Sequence, residues 1–179
     1  MRMRTIEPIA KLDLAFSIFC LQHKFNQPIA RISKAVSHTG DGHLYALFGV
    51  LAWWLDGQHG QYFLLAGLLA FAIELPIYWG LKNSFQRRRP QELSPLLTAF
   101  ITPSDRYSLP SGHTAAAFVM ATLIGQCYPD IYGVALMWAA LIGSARILLG
   151  VHFLSDVIIG ALLGMGCATL AMTWLETMA

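Results

Sequence analysis

Charge is scarce in this chain. Only 12% of its 179 residues are charged, against 56% hydrophobic, and mean hydropathy is +0.54. The charged share is about half that of an ordinary soluble domain. With 12 Lys and Arg against 10 Asp and Glu, the net charge is only +2. These shortages argue together against a soluble enzyme, a basic nucleic-acid-binding protein and a disordered tail. Cysteine is scarce as well: Cys20, Cys127 and Cys167 are odd in number and widely spaced, a pattern of neither a disulfide framework nor a CxxC metal site. No repeat, low-complexity stretch or long linker divides the chain. Lys11 and Asp13 interrupt the region where a signal peptide would place its apolar core, so the N-terminus is expected to be retained.

Long apolar runs take the place of charge. Five of them read as membrane spans: residues 44–55, 62–81, 114–128, 131–144 and 157–175. The last three hold no charged residue, whereas the second carries Glu74 and Pro76. The first is short, and must borrow Gly42 and His43 or sit where the bilayer is thin. Residues 9–25 and 28–36 are weaker, their apolar positions alternating with Lys11, Asp13, Lys24, Arg31 and Lys34. The apolar core at 14–21 cannot cross the hydrocarbon, so helices lying in the interface are expected there. Residues 37–42 read as a turn that starts the first span. The expected fold is an all-α polytopic membrane bundle of five to six transmembrane helices. It forms a single domain over residues 1–179, with 1–41 an interfacial segment and 42–179 the membrane core.

Five spans place the N-terminal segment, the 82–109 loop and the 146–152 link on one side, together with every Lys and Arg. The positive-inside rule alone would make that side cytoplasmic.

Three polar clusters converge on that same side. Lys82 opens a basic run through Arg89-Pro90 after the second span; it is either a snorkelling anchor or an anion site, since Arg forks match phosphate oxygens. Pro110-Ser111-Gly112-His113 precedes the third span. It is either a helix cap or a phosphate cradle made of free backbone N–H groups at a helix start, with His113 beside it as a proton donor. Arg146, His152 and Asp156 lie between the last two spans. A four-residue spacing puts His152 and Asp156 on one face if the last helix begins near His152, where a carboxylate–imidazole hydrogen bond would fix the tautomer. Ionisable groups at membrane depth are costly and usually functional.

His113, His152 and Asp156 as metal ligands are disfavoured, because Lys82, Arg89 and Arg146 would repel a divalent cation. Ser111, His152 and Asp156 as a hydrolytic triad would leave His113 and the three cations without work. A nucleophile and an acid inside a cationic cup suit phosphoryl transfer. His152 would attack phosphorus, Asp156 would orient it, His113 would protonate the leaving oxygen, and water would cleave the phosphohistidine.

These clusters resemble the three-part signature of the type 2 phosphatidic acid phosphatase superfamily. Lys82 with Arg89-Pro90 matches its first motif, Pro110 to His113 its PSGH motif, and Arg146, His152 and Asp156 its third. The likeness covers residues 82–156, with a weaker one at Gly40-Asp-Gly42. It departs at Ala145, where the family has Ser and this chain has Ser144 one position early. The resemblance implies a helical membrane core, hydrolysis without metal or other cofactor, and phosphate binding by Lys82, Arg89, Ser111, Gly112 and Arg146. The family also includes lipid phosphotransferases, which differ only in the acceptor, and soluble vanadium haloperoxidases, which this composition argues against.

A lipid phosphate among membrane lipids is the expected partner. Leu93, Leu96, Leu97, Phe100 and Ile101 in the 83–109 loop are placed to dip into the interface or to anchor the loop. Phosphatidic acid, phosphatidylglycerol phosphate and polyprenyl diphosphate are the candidates, and a polyprenyl or glycerolipid substrate in a bacterial-type envelope is favoured. Family likeness favours the outer face of the plasma membrane, against the charge count. A noncatalytic protein that binds anionic headgroups would need the cations but gives His113 and the His152–Asp156 spacing no role. Glu74 is either functional, or protonated or paired to stabilise a kink at Pro76.

Overall fold

A backbone immersed in hydrocarbon must satisfy its polar groups internally, and a chain without long polar stretches does so as helices. The computed structural model describes residues 7–22 and 25–178. In chain order it contains α1 (Glu7–Leu21), α2 (Asn26–His38), α3 (His43–Leu55), α4 (Gly57–Phe85), the single turn α5 (Pro90–Leu93), α6 (Gly112–Cys127), a 3₁₀ turn (Pro129–Ile131), α7 (Tyr132–Leu148) and α8 (Leu154–Met178). No strand occurs among the described residues, so the all-α membrane bundle expected from composition is the observed architecture.

Three segments are long and apolar enough to cross a bilayer: Gly57–Leu93, Pro129–Leu148 and Leu154–Met178. At a rise of about 1.5 Å per residue, the 13 residues of α3 and the 16 of α6 fall short of a full hydrocarbon thickness. α6 tolerates this because it is the inner helix of the bundle, packed against α4, α7 and α8, with Val119, Met120, Ala121 and Leu123 sealed from the surroundings. α3 lies chiefly on α4. α1 and α2 are too short to span; α2 lies along α7, and α1 touches α7 and α8.

Helix boundaries differ from the sequence expectation at three places. The 56–61 link is almost wholly helical: Asp56 alone separates α3 from α4, and Gly57 makes the turn with φ +53°. α4 also runs past residue 81 to Phe85, ending where Gln86 takes a left-handed conformation (φ 46°) while its N–H still reaches the Lys82 carbonyl. Lys82 therefore sits on the helix rather than in the following loop. α8 starts at Leu154, leaving His152 ahead of it.

α3, α4, α6, α7 and α8 alternate in direction. The starts of α3, α6 and α8 and the ends of α4 and α7 thus meet at one end of the bundle, which gathers all three polar clusters.

α6 and α8 cross closely because α8 presents small residues there, as membrane helices do where backbones approach. A Cβ on Gly164 would stand 2.1 Å from the Ala115 carbonyl oxygen, and one on Gly160 2.6 Å from that of Ser111. A Cβ on Gly166 would meet nothing within 4 Å. Gly164→Ala is expected to cost about 1–3 kcal/mol through overpacking, whereas Gly166→Ala should be neutral or slightly stabilising. Thermal unfolding in detergent checks this; equal midpoints for the two variants would refute the tight crossing.

Candidate active site

The basic run divides into residues with different tasks. Arg88 points outward. Arg87 is a clamp: its guanidinium donates to Asp13 on α1 (2.6 Å) and to Ser155 (2.6 Å) and Asp156 (2.7 Å) on α8, and it covers the Phe153 ring. Asp13, 1% exposed, also accepts from the Ser155 N–H (3.0 Å) and hydroxyl (2.5 Å). This explains why α1, with an acidic residue among apolar ones, docks on the bundle. Arg89 is buried and donates to the carbonyls of Val151 (2.6 Å), Asp105 (3.0 Å) and Tyr107 (3.1 Å) and to the Asp105 carboxylate.

Lys82 stands one helical turn beyond Tyr78. Its ammonium donates to the Tyr78 hydroxyl (2.6 Å), Asp105 Oδ2 (2.8 Å) and the Pro110 carbonyl (3.4 Å). The Tyr78 hydroxyl in turn donates to Asp105 (2.7 Å). Asp105 is thus the internal counter-ion of two cations. Its partial burial pushes its carboxyl up, but the hydrogen bonds from Lys82 and Tyr78 and the charges of Lys82 and Arg89 outweigh this and hold it below the usual carboxylate range.

Arg146, on the last turn of α7, donates to the Ser37 hydroxyl at the end of α2 (2.8 Å). Ala145 is buried, while Ser144 is exposed and donates back to the Ala140 carbonyl. The hydroxyl beside Arg146 is therefore that of Ser37, not of the chain neighbour. The Nε atoms of Arg89 and Arg146 are buried with no hydrogen-bond partner.

α6 begins at Gly112, the first residue after the buried loop 108–111. Gly112 and His113 line the cavity described below, and a Cβ on Gly112 would stand 2.9 Å from the Tyr78 ring. Ser111 faces elsewhere: its N–H donates to the Asp156 carbonyl (3.1 Å), and its hydroxyl pairs with Thr114 (2.8 Å). His113 Nε2 meets Asp41 Oδ1 at 2.8 Å, and His38 Nδ1 meets the other oxygen at 2.5 Å. Partial burial raises the Asp41 carboxyl, but the hydrogen bonds from His113 and His38 lower it more, so it stays ionised.

His152 lies in the link between α7 and α8, placed by the turn at Gly150 (φ +73°). A side chain there would also strike the Thr98 carbonyl, 2.4 Å from an ideal Cβ. Because α8 starts two residues later, the imidazole is not stacked on the helix face. Its Nδ1 is 3.7 Å from Asp156 Oδ2, an ion-pair separation without a hydrogen bond. Asp156 instead caps α8 by accepting the Phe153 N–H (2.8 Å) and pairs with Arg87. With Nδ1 sealed toward Asp156, Nε2 is the nitrogen left for the cavity. Burial, helped by the charges of Arg146 and Arg89, outweighs the pull of Asp156 and lowers His152 to about 4. At neutral pH it is therefore an uncharged imidazole with a free nitrogen lone pair.

One cavity of about 1190 Å³ joins these groups. Arg89, Gly112, His113, Arg146 and His152 line it, with Asp41, Tyr78 and Asp105, while Lys82, Ser111 and Asp156 stand behind its wall. Arg31 and Lys34 of α2 flank it. From the cup it extends between α3 and α4 over Gly49, Leu64, Leu68 and Phe71. Of the loop apolar residues, Leu97 is buried, and Phe100 and Ile101 pack on Ala30, Leu149 and Val151. Leu93 and Leu96 are exposed. Sequence spacing did not single out Tyr78, Asp105, Ser37 or Asp41 as members of the site; only the Gly40-Asp-Gly42 turn pointed toward the last.

The PAP2 superfamily model matches residues 58–178. Among solved structures, Aquifex aeolicus LpxE is similar with a TM-score of 0.78 and 25% identity, over 90% of this chain and 95% of that one. The transmembrane PAP2-type phosphatidylglycerolphosphate phosphatase of Bacillus subtilis is similar in fold, with a TM-score of 0.74 and 24% identity over 96% of this chain and 88% of that one.

Burial, then the charge of Arg146, lowers His113 below the usual imidazole range, while Asp41 orients its ring and by hydrogen bond and charge offsets part of that fall. Asp41→Asn should lower kcat on a phosphate ester about tenfold to a hundredfold, with a smaller change in KM. The alkaline limb of the pH–rate profile should shift to lower pH. A parallel fall with an unmoved profile would make Asp41 merely structural.

Proposed function

Since the chain belongs to the PAP2 superfamily, we propose that it is a metal-independent phosphatase of membrane lipids that works through a phosphohistidine. The observation that carries this reading is the continuity of one cavity from His152, Arg89 and Arg146 to the apolar surfaces of α3 and α4. A soluble phosphate ester would have no use for the apolar part, and a headgroup-binding protein would have none for a buried, uncharged imidazole.

The reaction follows from the placement. The substrate phosphate enters with its oxygens toward the unbonded Nε–H groups of Arg89 and Arg146 and the N–H groups at the start of α6, whose positive end favours the anion. His152 Nε2 attacks phosphorus, and the bond to the lipid oxygen breaks. His113, held by Asp41, gives that oxygen its proton, while Asp156 stabilises the positive charge on His152. A water then attacks the phosphohistidine, giving its proton to the now neutral His113, and inorganic phosphate leaves. Lys82 acts through Tyr78 and Asp105 from behind the wall, and Ser111 by fixing the start of α6 to α8. No step requires a metal ion.

The protein is an integral membrane protein. The active end is assigned to the outer face of a bacterial plasma membrane. The basic count that would place it inside is largely taken up by the site: Lys82, Arg89 and Arg146 serve the cup, Arg31 and Lys34 flank the cavity and Arg87 forms the clamp. Of the other N-terminal cations in that count, Lys11 is exposed on α1, and Arg2, Arg4 and Lys24 lie outside the described residues.

Phosphate release from phosphatidic acid, phosphatidylglycerol phosphate and a polyprenyl diphosphate in detergent, with EDTA present, is the test. The wild type should release phosphate from at least one of them, and His152→Ala should fall below about one part in a thousand of it, as loss of a nucleophile does. Acid-labile, base-stable phosphoprotein should be trapped from labelled substrate in the wild type by a denaturing quench and be absent from His152→Ala. Loss of activity with EDTA, or full activity of His152→Ala, would overturn the mechanism.

A further inference from the structure

Two polar side chains in the membrane part of the cavity have no role in the reaction above. Glu74 is 2% exposed, lies two turns before Lys82 on the buried face of α4 and lines the cavity. No hydrogen bond or ion pair engages its carboxyl among the described residues. The support of a Pro76 kink is therefore not its task. Tyr45, on facing α3, is 6% exposed and lines the same cavity, its ring held against Phe71 and Trp138. Its hydroxyl is buried without a partner.

A buried phenol and carboxyl left unbonded in hydrocarbon are costly, and a bundle gains nothing by keeping them over Phe and Leu. They are accounted for if a ligand completes them. Glu74 stands one helical turn, about 6 Å along the axis, before Tyr78, and Tyr45 four residues after Asp41, both residues of the cup, so the pair lies just below the phosphate cup, where the groups next to the phosphate would sit.

We propose that Tyr45 and Glu74 form a second, polar subsite that takes an ester, amide or hydroxyl group of the substrate. The phosphatase reading is its premise, and it narrows that reading to acylated lipid phosphates. A polyprenyl chain is hydrocarbon throughout. It would leave both groups unpaired, a penalty of the kind that lets a polar pocket reject an apolar analogue.

The test compares phosphatidic acid, undecaprenyl monophosphate and p-nitrophenyl phosphate in the same detergent for the wild type, Tyr45→Phe and Glu74→Leu. The wild type should prefer phosphatidic acid. Each variant should lose about tenfold in kcat/KM on it, the worth of one buried hydrogen bond, while p-nitrophenyl phosphate is unchanged and undecaprenyl phosphate is unchanged or improved. Glu74→Gln, which keeps the hydrogen-bonding capacity, should recover most of the loss. Parallel losses on all three substrates would mark the pair as structural, and a wild-type preference for undecaprenyl phosphate would also overturn the subsite. Phosphate release from none of the three would instead defeat the phosphatase reading itself.

Discussion

Cations buried at the end of a membrane bundle can persist only if each finds an anion or a dipole, because the cost of stripping their water far exceeds what packing returns. Arg87 meets this with Asp13 and Asp156, Lys82 and Arg89 share Asp105, and Arg146 rests on the Ser37 hydroxyl. Each pairing joins elements far apart in the chain. Asp13 brings in α1, Ser37 brings in α2, and Asp105 brings in the long loop. α1 and α2 are thus part of the charge balance of the site, not an appendage of the bundle.

That arrangement also separates support from reaction. Asp156 has its two oxygens committed to the Phe153 N–H and to Arg87, so the carboxylate is fixed before any substrate arrives. His152 is left near it with Nδ1 buried and without a hydrogen bond, and the ring is uncharged. In the proposed reaction, a charge forming on that ring would meet a carboxylate already in position, which is the form of electrostatic assistance that needs no reorganisation.

Much of this was legible in the sequence. Apolar run lengths gave an all-helical membrane protein; the charge-free run at 157–175 falls within α8, and that at 131–144 begins on the 3₁₀ turn and continues through α7. Spacing marked Arg89, Gly112, His113, Arg146 and His152, which all line one cavity. Spacing failed where a residue's task is set across the bundle. Nothing local distinguishes Arg87, a clamp, from Arg89, a cavity residue, since the difference lies in Asp13 and Asp105. Ser37 stands 109 positions from Arg146, a separation no motif encodes. The His152–Asp156 interval promised a shared helix face, but the turn at Gly150 keeps the imidazole ahead of α8, and the carboxylate caps that helix instead.

Asp105 gives the cup a carboxylate of its own, on a loop rather than a helix. An anion entering beside Lys82 and Arg89 does not meet bare positive charge; it competes with a tethered acid already seated there. If the lipid leaves first, as the proposed reaction has it, the same acid competes with inorganic phosphate for those cations. Turnover in the proposed reaction is then a succession of anion exchanges in which Asp105 and phosphate compete for the same two cations.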